Sequence, residues 1–234
     1  MKTAIVTGAG SGIGRAVALE LVRREYALII AGRTGTTLDQ TKSLCGEVNP
    51  DADCQVIETD LLNPAQAVGL IDQAHEQCGT ISVLINNAGI APLESLGSVT
   101  QESVQQAFAI NAVAPALMIS RIWPIMVKQG GGRIVNVSSM ATQDPFPGFL
   151  AYAASKCAVN SLARSIAGEG ESVGIKGFAV APGAVETGML RSLFDEAMIP
   201  ADACLSPAEV AQVIVDCADG LRDDENGQTI LLNK

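Results

Sequence analysis

Short apolar runs alternate along the chain with longer segments in which apolar residues recur at helical spacing. A short continuous apolar run favours a buried strand, whereas helical recurrence favours an amphipathic helix. Seven runs predict strands, at residues 3–7, 27–31, 54–57, 81–85, 133–137, 177–181 and 229–232. The intervals predict helices, the first around Ile13, Val17 and Leu21 and the others at residues 35–48, 64–78, 101–128, 151–168 and 207–219.

The order of these elements predicts the fold class. Strands that alternate with crossover helices form a parallel sheet with helices on both faces. We therefore expect an α/β fold with a doubly wound, Rossmann-type parallel sheet of about seven strands, in a single domain over residues 1–234. The last predicted helix starts after Ser206, since Pro207 takes its first position and Glu209 its third.

Composition narrows the function classes. Hydrophobic residues make up 48% of the chain and charged residues 17%, which favours a large buried core over disorder. The formal net charge of -10, with scattered basic residues, argues against nucleic acid and anionic membranes as partners. His75 is the only histidine, which argues against a histidine triad or a histidine-rich site, so no metal is expected.

Cysteine usage and the N-terminus bear on location in the cell. The six cysteines form no C-x-x-C pair and no zinc spacing, so we interpret them as small buried hydrophobes in a reducing compartment. Lys2 leads directly into an apolar strand, without the architecture of a signal peptide. We therefore expect a cytoplasmic protein.

A glycine-rich turn lies between the first strand and the first helix. Gly8, Gly12 and Gly14 follow the pattern T-G-x-x-x-G-x-G, with Ser11 and Ile13 among them. Without Cβ atoms the chain turns tightly, and the N–H groups and positive dipole of the helix N-terminus point at an incoming phosphate. Because the turn stands at the carboxyl end of a parallel strand, it predicts a dinucleotide site rather than a mere tight turn.

The end of the second strand indicates which dinucleotide is bound. An NAD-selective site places an acid there, and this acid binds the ribose 2′-hydroxyl. Here the strand ends Ala31-Gly32-Arg33-Thr34, without a carboxylate. Arg33 could bind a 2′-phosphate through charge-assisted hydrogen bonds, although an ordinary surface arginine has the same pattern. We expect NADP(H) to be preferred, with NAD(H) as the alternative.

Tyr152 and Lys156 are four residues apart in a predicted helix and so lie on one face. A nearby ammonium group favours the phenolate and lowers the pKa of the phenol, which then acts as a general acid or base. Such a pair also occurs by chance in helices. Ser139, however, ends the fifth strand thirteen residues before Tyr152 and could present its hydroxyl beside the phenol. Because side chains alternate along a strand, Ser138 should point elsewhere.

In combination these residues resemble the short-chain dehydrogenase/reductase family, in its compact single-domain branch, in register over roughly residues 2–190. The matching motifs are Thr7-Gly8…Gly12-x-Gly14, Asp60-Leu61, Asn86-Asn87-Ala88-Gly89, Asn111, Ser139, Tyr152…Lys156 and Pro182-Gly183…Thr187. The resemblance implies an NADP(H)-dependent oxidoreductase that transfers a hydride between the nicotinamide and a carbonyl or secondary alcohol.

The resemblance also implies catalytic roles. Tyr152 transfers the proton at the substrate oxygen, and Ser139 orients that oxygen. Lys156 lowers the pKa of Tyr152 and binds the nicotinamide ribose. Asn111 holds a water that links Lys156 to solvent.

Cofactor contacts are implied in the same way at the carboxyl ends of successive strands. They comprise Gly8, Ser11, Gly12, Ile13, Gly14, Arg33, Asp60, Leu61, Asn87, Ala88, Gly89, Tyr152, Lys156, Pro182, Gly183, Val185 and Thr187. Taken singly, Asp60 is also consistent with a turn acid, Asn111 with a tolerated helix residue and Thr187 with a helix cap.

Substrate choice lies in the loops, where the stretch 141–150 offers a mostly apolar lining. Gln143, as a hydrogen-bond partner, Phe149 and Met189 are the candidate substrate contacts. The segment between Thr187 and Ser206, which covers the substrate in the family, is short and predicts a pocket that is open or orders only on binding. The expected substrate is a small or medium ketone, an aldehyde or a 3-oxoacyl thioester.

Two other functions compete with this one. A redox sensor would bind the dinucleotide without turnover, but the complete set of Ser139, Tyr152 and Lys156 favours catalysis. An epimerase or dehydratase on nucleotide sugars resembles the extended branch, whose additional domain 234 residues do not accommodate. Besides the small-molecule substrate, analogy predicts a homodimer or homotetramer packed partly through the helix at 151–168.

Overall fold

The computed structural model of the chain describes residues 2–234. Its strands are β1 (Thr3–Thr7), β2 (Ala27–Gly32), β3 (Cys54–Glu58), β4 (Val83–Asn86), β5 (Gly132–Val137), β6 (Ile175–Pro182) and β7 (Thr229–Leu232). Its α-helices are α1 (Gly12–Arg23), α2 (Gly35–Val48), α3 (Pro64–Cys78), α4 (Gln101–Phe108), α5 (Ala114–Lys128), α6 (Leu150–Gly170), α7 (Gly188–Leu193) and α8 (Pro207–Asp219).

The strands form one parallel sheet in the order β3-β2-β1-β4-β5-β6-β7, which confirms the predicted fold class. The strand order reverses between β1 and β4, whose register runs from Ala4↔Val83 to Val6↔Ile85. Connections from these two neighbours therefore leave in opposite directions. A crevice opens at their carboxyl ends, where sheets of this kind bind ligands.

Two apolar cores cover the two faces of the sheet. Along β1, Val6 belongs to the core shared with α1, α2 and α8, whereas Ile5 belongs to the core shared with α3, α5 and α6. Both side chains are fully buried. Because successive side chains point to opposite faces, a strand covered on both sides needs the continuous apolar run seen in the sequence.

Strand β4 starts two residues later than its apolar run predicted. Ile81 is fully buried, but its N–H donates to Oε1 of Gln129 (3.2 Å) rather than to a neighbouring strand. The apolar pattern thus predicted the burial of Ile81 correctly, but it was wrong in assigning Ile81 to the strand.

The helix predicted at 101–128 is interrupted in its middle. A π-helical turn, Ala109–Val113, joins α4 to α5, and the N–H of Ala114 donates to the carbonyl of Ala109. Pro115 at the start of α5 has no N–H, so the α-helical bond to the carbonyl of Asn111 cannot form. Asn111 therefore lies at a backbone irregularity, which helical periodicity does not reveal.

The segment Gln101–Lys128 is the one helix among residues 2–234 that is long and apolar enough to cross a membrane by length and composition. In the structure its residues Met118, Ile122 and Met126 are fully buried in the core shared with α3. Core helices of soluble proteins pass the same test, so this finding is weak evidence for a membrane span.

The cysteines are free, but they are not all buried. Cys45, Cys54, Cys204 and Cys217 are buried, Cys78 is partly buried and Cys157 is exposed. Cys157 follows the buried Lys156 on α6, and adjacent helical residues point about 100° apart. The prediction of six buried thiols is therefore wrong for Cys157.

Candidate active site

A cavity of about 540 Å³ lies along the carboxyl edge of the sheet. The turns after β1 to β6, the first turn of α2 and most of α7 form its walls. We call the part around residues 8–13, 33 and 60 the glycine end, and the part around residues 139, 152 and 194 the tyrosine end. The volume is typical of a site for a small molecule or cofactor.

The turn after β1 has a backbone that glycine adopts readily. Gly8 and Gly12 have φ angles of +65° and +53°. A Cβ atom on Gly14 would lie 2.3 Å from the carbonyl oxygen of Gly8, so α1 approaches the turn more closely than a side chain allows. The Ser11 side chain makes no cap hydrogen bond, which leaves the first N–H groups of α1 to an anion such as a pyrophosphate.

Asn87 braces this turn from the neighbouring strand. Its Nδ2 atom donates to the carbonyl oxygens of Thr7 (2.9 Å) and Gly8 (3.2 Å). In return, Thr7 Oγ1 accepts hydrogen bonds from the N–H groups of Asn87 (3.0 Å) and Ala88 (3.1 Å). The side chain of Asn87 therefore holds the turn in shape at the wall of the cavity.

The residues after β2 and β3 form the outer part of the glycine end. Arg33 is exposed and lines the cavity. Asp60 also lines it, while its Oδ1 atom accepts the N–H of Leu62 (3.0 Å) and its own N–H donates to Gln66 (2.8 Å). Asp60 is thus a turn acid and a wall residue at once.

The first turn of α2 supplies wall residues that sequence reasoning missed. Thr37 and Leu38 line the cavity. Arg15 fastens this helix to the glycine turn, since it donates to Thr41 Oγ1 (3.0 Å) and to the carbonyl of Gly10 (2.5 Å). In the sequence, the contact to α2 could have been expected from Arg15, the basic residue directly after Gly14, the last glycine of the motif.

Most of the predicted cofactor contacts lie in the walls. Those that do are Gly8, Ser11, Gly12, Ile13, Arg33, Asp60, Leu61, Asn87, Ala88, Gly89, Tyr152, Lys156, Pro182, Gly183, Val185 and Thr187. Gly14 does not, because it packs behind the turn against Gly8 and Asn87. Its prediction as a contact is corrected to a packing position.

Ser139, Tyr152 and Lys156 meet at the tyrosine end. The hydroxyl of Ser139 lies close enough to the phenol of Tyr152 to lower its pKa, and it accepts the N–H of Ala141 (3.1 Å). Ser138 is buried, and its hydroxyl donates to the carbonyl of Lys156 (3.4 Å). The two neighbouring serines therefore point to different partners.

Burial dominates the titration of this group. The pKa of Lys156 is lowered to about 8 because its ammonium is desolvated, and Nζ donates to the carbonyl of Val137 (2.7 Å). Burial raises the pKa of Tyr152, and the hydrogen bond from Ser139 lowers it only in part. The net shift of the Tyr152 pKa is therefore upward, opposite to the lowering expected from Lys156, whose Nζ lies 5.9 Å from the ring centroid.

Asn111 is buried and its side chain is fully bonded. Its Nδ2 atom donates to Ile90 O and to Ser155 Oγ (2.9 Å each), and its Oδ1 atom accepts the N–H of Ile90 (2.9 Å). Asn111 lies behind the wall rather than in it. A Cβ on Gly89 would come within 3.0 Å of Asn111 Oδ1 and 3.3 Å of Lys156 Nζ, so this glycine permits their close packing.

Asn160 is a positioning residue that sequence reasoning missed. It is buried on α6, one turn after Lys156, and its Nδ2 atom donates to Thr142 Oγ1 (3.2 Å). Thr142 in turn donates to the carbonyl of Ser139 (2.9 Å). This chain of bonds fastens the turn that carries Ser139 to the helix that carries Tyr152. The i+4 spacing from Lys156 was the available signal.

The segment between Thr187 and Ser206 is folded over the cavity. Thr187 caps α7 through the N–H of Leu190 (3.2 Å). Arg191 pairs with Glu186 and donates to the carbonyl of Ile199 (2.8 Å). The structure thus shows a covered pocket rather than an open one, and ordering on binding stays a prediction.

The predicted substrate contacts divide between the wall and solvent. Phe149 and Met189 line the cavity. Gln143 is exposed and lies outside the cavity. The N–H groups of Gln143 and Asp144 both donate to the carbonyl of Met140, and in this tight turn the side chain of Gln143 faces solvent. Asp144 lines the cavity instead, so the structure does not place Gln143 in the cavity wall, where a substrate contact was expected.

Comparison with known proteins places this geometry in context. A model of the short chain dehydrogenase family matches residues 2–197. A 3alpha-hydroxysteroid dehydrogenase from Mediterraneibacter gnavus is 32% identical over 235 residues, covering 98% of this chain and 94% of the relative. A 3-oxoacyl-(acyl-carrier-protein) reductase from Thermotoga maritima is 33% identical over 240 residues, covering 98% and 95%. The crystal structure of levodione reductase has a TM-score of 0.93 at 27% identity, covering 99% and 96%.

Proposed function

This chain belongs to the short-chain dehydrogenase family of oxidoreductases, and we propose that it is an NADP(H)-dependent member in which Tyr152 transfers a proton to or from the substrate oxygen. The family binds a nicotinamide dinucleotide and acts on carbonyl or alcohol groups of small molecules. One observation carries the proposal. Ser139, Tyr152 and Lys156 meet at one end of a cavity whose other end holds the glycine turn and Arg33.

The glycine end fits a dinucleotide because its backbone approaches the cavity without side chains in between. The nicotinamide, when bound, supplies or accepts the hydride. Tyr152 has a raised pKa and is protonated at neutral pH, so it donates its proton to the substrate oxygen in the reducing direction. Ser139, which lines the same end of the cavity, holds the same oxygen in place.

Lys156 supports the phenolate that remains after this proton transfer. With a pKa of about 8, its ammonium is protonated at neutral pH. The carbonyl of Val137 fixes its position. A positive charge beside the phenolate stabilises it in a site of low dielectric. This stabilisation is smaller than the effect of burial, so the net pKa of Tyr152 stays raised.

Arg33 supports the preference for NADP(H). It follows β2 at the cavity rim, where it would bind a 2′-phosphate by charge-assisted hydrogen bonds. Arg33→Ala should raise the KM for NADPH by about tenfold or more and change the KM for NADH little. Arg23→Ala, at the far end of α1, is the control. Equal KM values of the wild-type protein for NADPH and NADH would overturn the preference.

The function itself is tested with a panel of ketones, aldehydes and alcohols, followed by NADPH absorbance at several pH values. Turnover that depends on Tyr152 supports the proposal. Tight NADPH binding without turnover on any member of the panel would favour the redox sensor instead.

We further propose a single domain over residues 1–234, a cytoplasmic location and a homodimer or homotetramer packed partly through α6. The continuous sheet and the free thiols support the first two. Light scattering coupled to size exclusion tests the third, and a monomer at micromolar concentration would contradict it.

A further inference from the structure

Three phenylalanine rings form one wall of the tyrosine end, and we call Phe146, Phe149 and Phe194 the aromatic wall. The ring centroids of Phe146 and Phe194 are 4.9 Å apart at 73°, and those of Phe149 and Phe194 are 6.0 Å apart at 86°. Phe149 also lies 5.0 Å from the ring of Tyr152. These are three of the five phenylalanines in the chain, so its few aromatic residues are concentrated beside the reacting phenol.

The aromatic wall joins two separate segments of the chain through packed rings. Phe146 and Phe149 precede α6, whereas Phe194 ends α7 and is only 4% exposed. The pair between Glu186 and Arg191 holds α7 in this place. A rigid apolar surface of this kind binds a rigid ring at lower entropic cost than a flexible chain, which must be ordered to lie against it.

Asp144 sets the charge of the same end. It is exposed and lines the cavity two residues before Phe146. The basic side chains that line the cavity within residues 2–234 are Arg33, at the glycine end, and Lys156, whose ammonium bonds Val137. A carboxylate on this wall repels an anion that approaches the phenol, and salt should weaken the repulsion because Asp144 is exposed.

We propose that the substrate is an uncharged ketone or secondary alcohol whose reacting carbon belongs to or adjoins an apolar ring, and that Asp144 selects against anions. The inference rests on the function proposed above and deepens it. The ring packs on the aromatic wall, the oxygen meets Tyr152 and Ser139, and the remainder of the substrate passes Asp144. Among the substrate classes expected from the sequence, this selects the ketone over the 3-oxoacyl thioester.

Binding is tested apart from turnover by calorimetry on the full chain saturated with NADP⁺, which has no hydride to give to a ketone. The probes are methyl 4-oxocyclohexanecarboxylate, its free carboxylate and the open-chain methyl 6-oxoheptanoate. The ring ester should bind about tenfold or more tightly than the carboxylate, and more tightly than the open-chain ester. A carboxylate that binds as well as its ester, or an open-chain ester that binds as well as the ring, would overturn the proposal.

Two variants test which residues cause the two kinds of selectivity, and a third serves as the control. Asp144→Asn keeps the shape of the side chain and should reduce the ester-to-carboxylate ratio to about threefold or less. Asp51→Asn, in the exposed turn before β3, makes the same change in net charge and should leave that ratio unchanged. Phe146→Ala removes a 44% exposed ring and should narrow the preference for the ring over the open chain. An unchanged ratio in Asp144→Asn contradicts the role of Asp144.

The two levels of proposal fail differently. If the ring ester binds as expected but NADPH reduces neither it nor any other member of the panel, the proposed function fails and only the binding selectivity stands. If NADPH reduces the carboxylate as efficiently as the ester, the substrate class fails and the function stands.

Discussion

The two ends of the cavity hold their shape by different means. At the glycine end the bonds are made to the main chain of the turn: Asn87 donates to the carbonyls of Thr7 and Gly8, and Gly14 packs on the turn without a side chain. At the tyrosine end side chains from separate segments meet, as Asn160 does with Thr142 and Arg191 with Glu186.

This difference explains why the turn at the glycine end is recognisable from a short motif, whereas the substrate-contacting wall at the tyrosine end is not. A backbone cradle tolerates few residue types, because an added Cβ atom collides with a carbonyl oxygen. A wall of packed side chains accepts many combinations of similar volume. The glycine end can therefore hold the same dinucleotide in many proteins while the tyrosine end changes its substrate.

The largest effect should come from the one atom that the proposed chemistry cannot lose. Tyr152→Phe removes the phenol oxygen but keeps the ring against Phe149, so kcat should fall by roughly 10²–10⁴-fold. The dissociation constant for NADPH, measured by fluorescence titration, should change little because the glycine end is untouched. Tyr26→Phe is the control, since the hydroxyl of Tyr26 bonds Asp219 outside the cavity. Near-wild-type kcat in Tyr152→Phe would remove the residue from the mechanism.

Close backbone packing at the glycine end predicts the next effect. Gly14→Ala places a methyl group against the carbonyl of Gly8 and should destabilise the protein by about 1–3 kcal/mol while weakening NADPH binding. Gly46→Ala in α2 is the control: its Cβ meets nothing within 4 Å, and it should stabilise the protein by about 0.5–1 kcal/mol. Urea denaturation measures both. Equal stability of the two variants would mean that the turn is looser than the structure shows.

The same contrast decides how much the sequence could predict. The apolar runs located the strands because burial on both faces needs continuous apolar residues, and Ser206 with Glu209 forms the predicted capping box. The sequence located the glycine turn and Ser139 correctly because both follow strands, and the apolar runs show where those strands end. Gln143 lies outside the wall because a tight turn after Ser139, set by main-chain bonds, decides which polar side chain faces the cavity.

The directions of the pKa shifts at the tyrosine end could not be predicted from the sequence pattern either. The spacing of Tyr152 and Lys156 places them on one face but says nothing of burial, which raises one pKa and lowers the other. Likewise, the ordered segment after Thr187 depends on Arg191 reaching both Glu186 and the carbonyl of Ile199, a contact set by tertiary structure.

Asn160 tests whether side-chain bonds position the tyrosine end. Asn160→Leu keeps the volume and removes the bond to Thr142, so the turn that carries Ser139 loosens and kcat should fall by about tenfold with NADPH affinity unchanged. Because the bond from Ser139 lowers the pKa of Tyr152, its weakening should move the pH–rate profile to higher pH. Thr142→Val should shift the profile equally, and the double variant no further. A loss of stability with an unshifted profile would leave Asn160 a merely structural residue.

The smallest effect is a pH dependence of stability that belongs to the tyrosine end alone. Lys156 has a pKa of about 8 in the folded chain and an ordinary value of 10.5 in the unfolded one. Between these values the unfolded chain binds more protons, so this lysine opposes folding below pH 8 and its penalty disappears as the pH rises. Relative to Lys156→Met, wild-type stability should therefore increase by about 1 kcal/mol between pH 8 and 9.

Only the difference between the two proteins isolates this penalty, because the pKa values of Tyr26, Cys54 and Cys217 are raised and their titration acts in the opposite direction. Urea unfolding of both proteins at each pH measures it. A difference that stays flat would mean that the ammonium of Lys156 keeps its water. The tyrosine end would then be an open polar cleft, and burial could no longer explain why the pKa of Tyr152 lies above its ordinary value.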